Sequence, residues 1–242
     1  MEFPKGPYFI GLSGSIGVGK TTAGRNLAAV LQRAKRSVVF FEEELPGYIC
    51  ELLAKSNDQP ERWMELFQAL MVVRAAWREK NVLQSNWAEL NFIERPLEES
   101  WVFGRANYTL GRITEEFYNS TYSQLHGEYK GTLSYDLIVF LYVDEKTAEE
   151  RRTERGRLAE DRYGNAYTSA LTDAYFQWVV QCCAEGRMLV VDWSEFQAPE
   201  RLLGLIRKAL ENPTALKYIT PPTPDHHTTL LEIAKVHETR FG

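Results

Sequence analysis

Short apolar runs rich in β-branched and aromatic residues alternate with longer stretches of helical periodicity, the sequence form of a parallel sheet with crossover helices. Residues 8–13, 37–42, 90–94, 137–143 and 187–192 predict five strands. Between and after them, residues 20–33, 60–84, 113–129, 146–155, 167–183 and 199–210 predict helices. In the longest of these, Trp63, Phe67, Leu70, Met71 and Arg74 recur at helical spacing. The pattern therefore implies an α/β fold, a doubly wound parallel sheet of about five strands with helices on both faces. After Asn212-Pro213 the texture changes. Pro221-Pro222-Thr223-Pro224 breaks regular structure, and residues 228–236 predict one more short helix. The chain divides on this reading into a domain over residues 1–212 and a C-terminal tail over residues 213–242.

The first strand runs straight into Gly14-Ser15-Ile16-Gly17-Val18-Gly19-Lys20-Thr21-Thr22, which fits G-x-x-x-x-G-K-[ST] in the strand-to-helix setting that this motif requires. Its glycines let backbone N–H groups turn inward around phosphate oxygens. Lys20 reaches the β- and γ-phosphates, Thr21 offers a hydroxyl to Mg²⁺, and the following helix points its positive end at the anion. A mere Gly-rich turn needs neither the lysine nor the threonine. A nucleoside triphosphate with Mg²⁺ is the implied ligand.

In an open α/β sheet, ligands bind beyond the carboxyl ends of the strands, so the residues ending strands two and three are informative. Both ends are acidic: Glu42-Glu43-Glu44 and Glu94-Arg95. Carboxylates there can take a proton from a hydroxyl or hold Mg²⁺, and an arginine beside them can balance a moving phosphoryl group. A third cluster, Arg151, Arg155, Gly156, Arg157 and Glu160, lies where a helix ends. Arginines four residues apart share a helix face, and the glycine allows a turn into an Arg-rich lid.

With these residues in view the chain resembles the deoxynucleoside kinases over roughly residues 8–210. The matching pieces come in the family's order: the phosphate loop, the acidic end of strand two, Pro60-Glu61-Arg62-Trp63 with Phe67-Gln68, then Glu94-Arg95-Pro96-Leu97-Glu98-Glu99, then the Arg-Gly-Arg lid. The resemblance implies the P-loop kinase fold and transfer of a phosphoryl group from ATP to the 5′-hydroxyl of a deoxynucleoside. It implies Glu43 as the general base, within one residue of Glu42 and Glu44, since Glu44 stands where the family has proline and Tyr48 where it has an aromatic. Gln68 would pair with the base, Phe67 and Trp63 would wall the base pocket, and Arg74 would approach the base. Glu94 would sit near Mg²⁺ with Thr21, and Arg95 near the transferred phosphate beside Lys20. Arg151, Arg155 and Arg157 would be the lid arginines, Glu160 would grip the sugar 3′-hydroxyl, and Phe196 would lie by the donor adenine. Two departures bear on sugar and base choice: Asn57 replaces a tyrosine that shares the 3′-hydroxyl, and Ser100 replaces a common aspartate.

Other readings stay open. A deoxynucleoside monophosphate kinase shares the loop, an acidic-Arg motif and the lid, and would need a further cationic pocket, for which Arg74, Arg78 and Lys80 are candidates. A nucleotide-dependent switch would show an Asn-Lys-x-Asp motif and an Asp-x-x-Gly directly after a strand, and the sequence has neither in that setting. A catalytically silent relative would have lost Lys20, Arg95 or the lid. The formal net charge of -5 argues against a nucleic-acid polymer as partner. Cys50 and the adjacent Cys182-Cys183 form no disulfide or metal pattern, and no stretch is long and apolar enough to span a membrane, so a cytoplasmic protein is expected. The His226-His227 pair reads as a solvated turn. Relatives are usually homodimers, and Phe117, Tyr118, Tyr122 and Leu125 would serve either such a contact or the core.

Overall fold

The computed structural model describes residues 3, 6–85, 87–122, 133–156, 164–212 and 225–242. Five parallel strands, β1 (Tyr8–Ser13), β2 (Val38–Phe41), β3 (Leu90–Glu94), β4 (Leu137–Tyr142) and β5 (Met188–Asp192), form one sheet in the order β2-β3-β1-β4-β5. The connection leaving β1 runs out to β2, whereas the one leaving its neighbour β3 crosses to β4. A crevice therefore opens beyond the carboxyl ends of β1 and β3, where doubly wound sheets bind ligands.

Period-two alternation decides which side chains face which layer. In β4, Leu137, Val139 and Leu141 enter one core with helices α1 (Lys20–Arg33) and α8 (Pro199–Glu211). Ile138, Phe140 and Tyr142 enter a second core with α4 (Ser100–Thr109) and α7 (Asn165–Ala184). Both faces of the sheet are covered, which explains why its central strands read as unbroken apolar runs. A third core joins α2 (Gly47–Asp58), α3 (Pro60–Gln84) and α5 (Glu115–Tyr122) beside the carboxyl end of the sheet. The remaining helices are α6 (Glu145–Arg155) and α9 (His226–Phe241).

The five expected strands and the long helices stand where periodicity put them, with ends differing by one or two residues. Part of the helix expected over residues 113–129 is α5; residues 123–129 lie outside the described residues. Two helices went unread. Ile49 and Leu53 give α2 its buried stripe, but its first turn is Pro46-Gly47 and its last is polar. In α4, Gly104 lets the Tyr122 ring approach so closely that a Cβ would lie 2.4 Å from it. The helix trades propensity for that contact.

Residues 225–242 differ most from expectation. Where one short helix over residues 228–236 is expected, α9 runs for 16 residues and buries Leu230, Ile233 and Ala234 in the α4–α7 core. His237 Nδ1 accepts the Val190 N–H at 2.9 Å, on the side of β5 away from β4. The helix thereby covers an open sheet edge. The His pair remains partly open to solvent but has partners: His226 stacks on Phe176 with ring centroids 3.9 Å apart, and the His227 Nδ1 meets the Tyr142 hydroxyl. Phe117, Tyr118 and Tyr122 pack into the third core, with Tyr122 fully buried, and Leu125 lies outside the described residues. Among the described residues no helix is long and apolar enough to cross a membrane.

Candidate active site

Three chain segments leave the sheet at the crevice and bring the phosphate loop, Glu43, Glu94 and Arg95 to one cavity of about 530 Å³. After β1, Gly14, Gly17 and Gly19 take positive φ angles of 142°, 92° and 96°. Gly14 could carry no side chain, because a Cβ would stand 2.6 Å from the Leu141 carbonyl oxygen. Gly19 caps α1 in the left-handed region, and its missing side chain leaves room for the Phe196 ring. Lys20 folds back across the loop and donates to the carbonyls of Gly14 at 2.7 Å and Ser15 at 3.0 Å. Burial pulls its pKa down to about 8, assisted by Arg95 and opposed by Glu99, Glu94 and Glu43.

The second and third segments bring the acids. The Thr21 hydroxyl donates to Glu94 Oε1 at 2.7 Å, and Glu94 Oε2 accepts the Glu43 N–H at 3.1 Å. Glu43 Oε2 lies 2.9 Å from Arg95 Nε, a close charge contact in a largely buried setting. Arg95 follows β3 with φ at 54°, an uncommon conformation for a residue bearing Cβ. It is fixed by its N–H to the Leu12 carbonyl, by Arg78 donating to its own carbonyl at 2.6 Å, and by its guanidinium lying 4.4 Å from the Phe103 ring. Burial would lower the Arg95 pKa, but Glu43, Glu99, Tyr175 and Glu94 outweigh it and hold the cation. Of the acidic triplet, Glu43 alone meets Arg95. Glu42 pairs with Arg25 near the rim, and Glu44 turns its carbonyl to Arg74.

The rest of the cavity comes from helices. Phe67, Gln68, Asn57 and Ser100 line it, together with Met64, Met71 and Ala75 of α3. The Gln68 amide is oriented by Tyr122, whose hydroxyl donates to Oε1 at 2.7 Å. Trp63, Tyr48 and Arg74 do not line it. Trp63 lies between Lys55 and Arg62, Tyr48 is 57% exposed, and Arg74 donates to the Tyr48 hydroxyl. Successive helix residues are turned by about 100°, so residues 64, 71 and 75 fall within about 60° of Gln68, whereas 63 and 74 fall about 120° to 140° away. Arg78 and Lys80 do not line the cavity either.

From α6 come Arg151 and Arg155, both lining the cavity. Arg151 ties the phosphate loop to the segment after β5, donating to the carbonyls of Val18, Trp193 and Ser194 and lying 4.3 Å from the Phe196 ring. Gly156 caps α6 at φ 64°, the turn expected before the lid, while Arg157 and Glu160 lie outside the described residues. Sequence reasoning missed Glu99 and Tyr175, which meet beneath the loop; nothing local marks either one.

A glycine loop, a lysine, paired strand-end acids and a helix of arginines on a five-stranded parallel sheet define a P-loop kinase fold. A family model described as deoxynucleoside kinase matches residues 10–209, so the chain belongs to the deoxynucleoside kinase family and is a kinase. A deoxyadenosine kinase of Dictyostelium discoideum is 26% identical over 216 residues, covering 88% of this chain and 84% of that protein. Two structures of the deoxyadenosine kinase from M. mycoides, one with the products dCMP and dCDP and one with dATP, match at TM-score 0.66 and 22% identity. Each covers 84% of this chain, and the matches span 98% and 100% of those chains.

Proposed function

We propose that this chain transfers the γ-phosphoryl group of Mg²⁺·ATP to the 5′-hydroxyl of a deoxynucleoside. The observation that carries the proposal is the convergence of Glu43, Glu94 and Arg95 with the phosphate loop on one cavity that Gln68 also lines. The base lies against Phe67 and takes hydrogen bonds from Gln68. Tyr122 occupies one lone pair of the Gln68 carbonyl and fixes which way the amide faces. The 5′-hydroxyl gives its proton to Glu43, while Lys20, Arg95, Arg151 and Arg155 balance the phosphate oxygens. This chemistry asks for positioning and charge rather than covalent steps. Arg157 and Glu160 complete the lid and the sugar site in this reading.

Thr21 and Glu94 suit Mg²⁺. A hydroxyl and a carboxylate are hard oxygen donors within 2.7 Å of each other at the loop, and this ion takes few protein ligands beside water and phosphate. When bound, it supplies charge neutralisation at the β- and γ-phosphates. The three free cysteines suit a reducing compartment, the cytoplasm.

A monophosphate acceptor is less well served, because Arg74, Arg78 and Lys80 do not line the cavity and supply no extra cationic pocket. The test offers the purified protein each of the four deoxynucleosides, deoxyadenosine first in view of the Dictyostelium relative, beside the four monophosphates, with Mg²⁺·ATP. Chromatography should show deoxynucleoside monophosphates forming. Turnover confined to the monophosphates would overturn the proposal.

A further inference from the structure

One buried acid in the site has no part in the transfer just described. Glu99, the last residue of the 3-10 turn Leu97–Glu99 after β3, is fully buried beneath the phosphate loop. Its Oε1 accepts the Tyr175 hydroxyl at 2.6 Å, and the same hydroxyl lies 3.1 Å from the Gly14 carbonyl oxygen. Its Oε2 accepts no hydrogen bond of normal geometry among the described residues, although the Ser13 hydroxyl adjoins the carboxyl. Tyr175 stands on the middle of α7, its ring packed among Phe140, Phe103 and Trp178. The hydroxyl therefore has little freedom. It has one proton and two acceptors, and one of them is the first carbonyl of the glycine loop.

That carbonyl already has a second donor, since Lys20 Nζ reaches it at 2.7 Å. The ammonium has three N–H donors, and the β- and γ-phosphates of a bound nucleotide compete for them with the Gly14 and Ser15 carbonyls. Where its donors turn to the phosphates, the buried Gly14 carbonyl needs another, and an unpaired buried acceptor is costly. The Tyr175 hydroxyl is within reach.

We infer that Tyr175 and Glu99 are positioning residues of the triphosphate site. Tyr175 shifts its one hydroxyl proton from Glu99 to the Gly14 carbonyl when Lys20 turns to the nucleotide, and Glu99, which holds the hydroxyl within reach until then, keeps its charge facing Arg95. The inference rests on the reading that a triphosphate occupies the glycine loop. It adds two residues from outside the loop, one of them 161 positions away in the chain, that set how tightly the donor binds.

Tyr175→Phe removes the hydroxyl and keeps the ring, so the core survives even where Glu99→Ala fails to fold. Loss of one hydrogen bond to the loop should weaken Mg²⁺·ATP binding roughly 5- to 20-fold, read by calorimetry without nucleoside at a temperature where the variant is fully folded. In turnover the same variant should raise the KM for ATP and leave the KM for deoxynucleoside within about twofold, because a contact beneath the donor loop has no partner on the acceptor. Glu99→Gln keeps an acceptor for Tyr175 and should bind ATP several-fold more tightly than Glu99→Ala. Unchanged ATP binding in Tyr175→Phe, or equal rises in both KM values, would overturn the inference. Equal ATP binding by the two Glu99 variants would overturn the share given to Glu99. The calorimetric arm reads ATP alone, so it is independent of whether nucleosides prove to be the acceptors.

Discussion

Lys20 is a buried ammonium that donates to the Gly14 and Ser15 carbonyls, and burial draws its pKa down to about 8. A bound triphosphate surrounds the same nitrogen with negative oxygens and favours the charged form, so binding must pull a proton from solvent wherever free Lys20 is neutral. With a free pKa of about 8, the neutral fraction is about one tenth at pH 7, one half at pH 8 and nine tenths at pH 9. Proton uptake per ATP should follow those fractions. Affinity should fall as pH rises through the free value, by about tenfold between pH 7 and pH 9, because only the protonated fraction is competent. Calorimetry of Mg²⁺·ATP binding, run at each pH in buffers of different ionisation enthalpy, gives affinity and uptake together. Lys20→Arg, which keeps its charge throughout, should bind with no such pH dependence. If the wild-type protein takes up less than about 0.2 proton at pH 9 and its affinity is flat, Lys20 is charged in the free protein and the balance of burial against its three acidic neighbours is misjudged.

Three further expectations concern single side chains. Glu43→Gln should lose roughly 10²- to 10⁴-fold in kcat with little change in nucleoside KM, whereas Glu42→Gln, whose partner Arg25 is at the rim, should stay within about twofold; the reverse ranking in a phosphorylation assay would move the base to Glu42. Glu79 sits buried on α3 and accepts from the Leu97 N–H, the Tyr135 hydroxyl and the Leu133 N–H, so Glu79→Ala strands three buried donors. It should cost about 3 kcal/mol and lower the thermal midpoint by roughly 6 to 12 °C, and a midpoint within about 2 °C of wild type would refute this reading. Arg151→Ala removes three hydrogen bonds that tie the phosphate loop to the segment after β5, together with the cation over Phe196. It should raise the KM for ATP at least fivefold and spare that for nucleoside, which initial-rate kinetics over both substrates would check.

What could be read from the chain, and what could not, divides by sequence distance. The glycine loop is a local device, since its glycines, lysine and threonine act within nine residues and the surrounding strand and helix are set by their own periodicity. Glu43 and Arg95 could be named because each ends a strand, and a parallel sheet brings all carboxyl ends to one side whatever the strand order. On α3 the reading went one residue astray. Apolar and aromatic residues occupy two adjoining faces, so the stripe through Trp63 and Arg74 was as regular as the one through Met64 and Ala75, and only the seat of the helix on the sheet chooses between them. A similar ambiguity hid α9. Leu230, Ile233, Ala234, His237 and Phe241 make a clear stripe, but it has meaning only because β5 is an edge strand, a fact fixed by the order of all five strands. Glu99, though it closes a stretch that carries the resemblance, and Tyr175 have no local mark of a role at the phosphate loop. A glutamate next to Glu98 and a tyrosine in an apolar helix look like a solvated turn and a core residue until the chain is folded. The same distance that hides them gives them their leverage, because residues far apart in the chain meet beneath the loop only when α7 has docked on the sheet, so the donor site is complete only in the native fold.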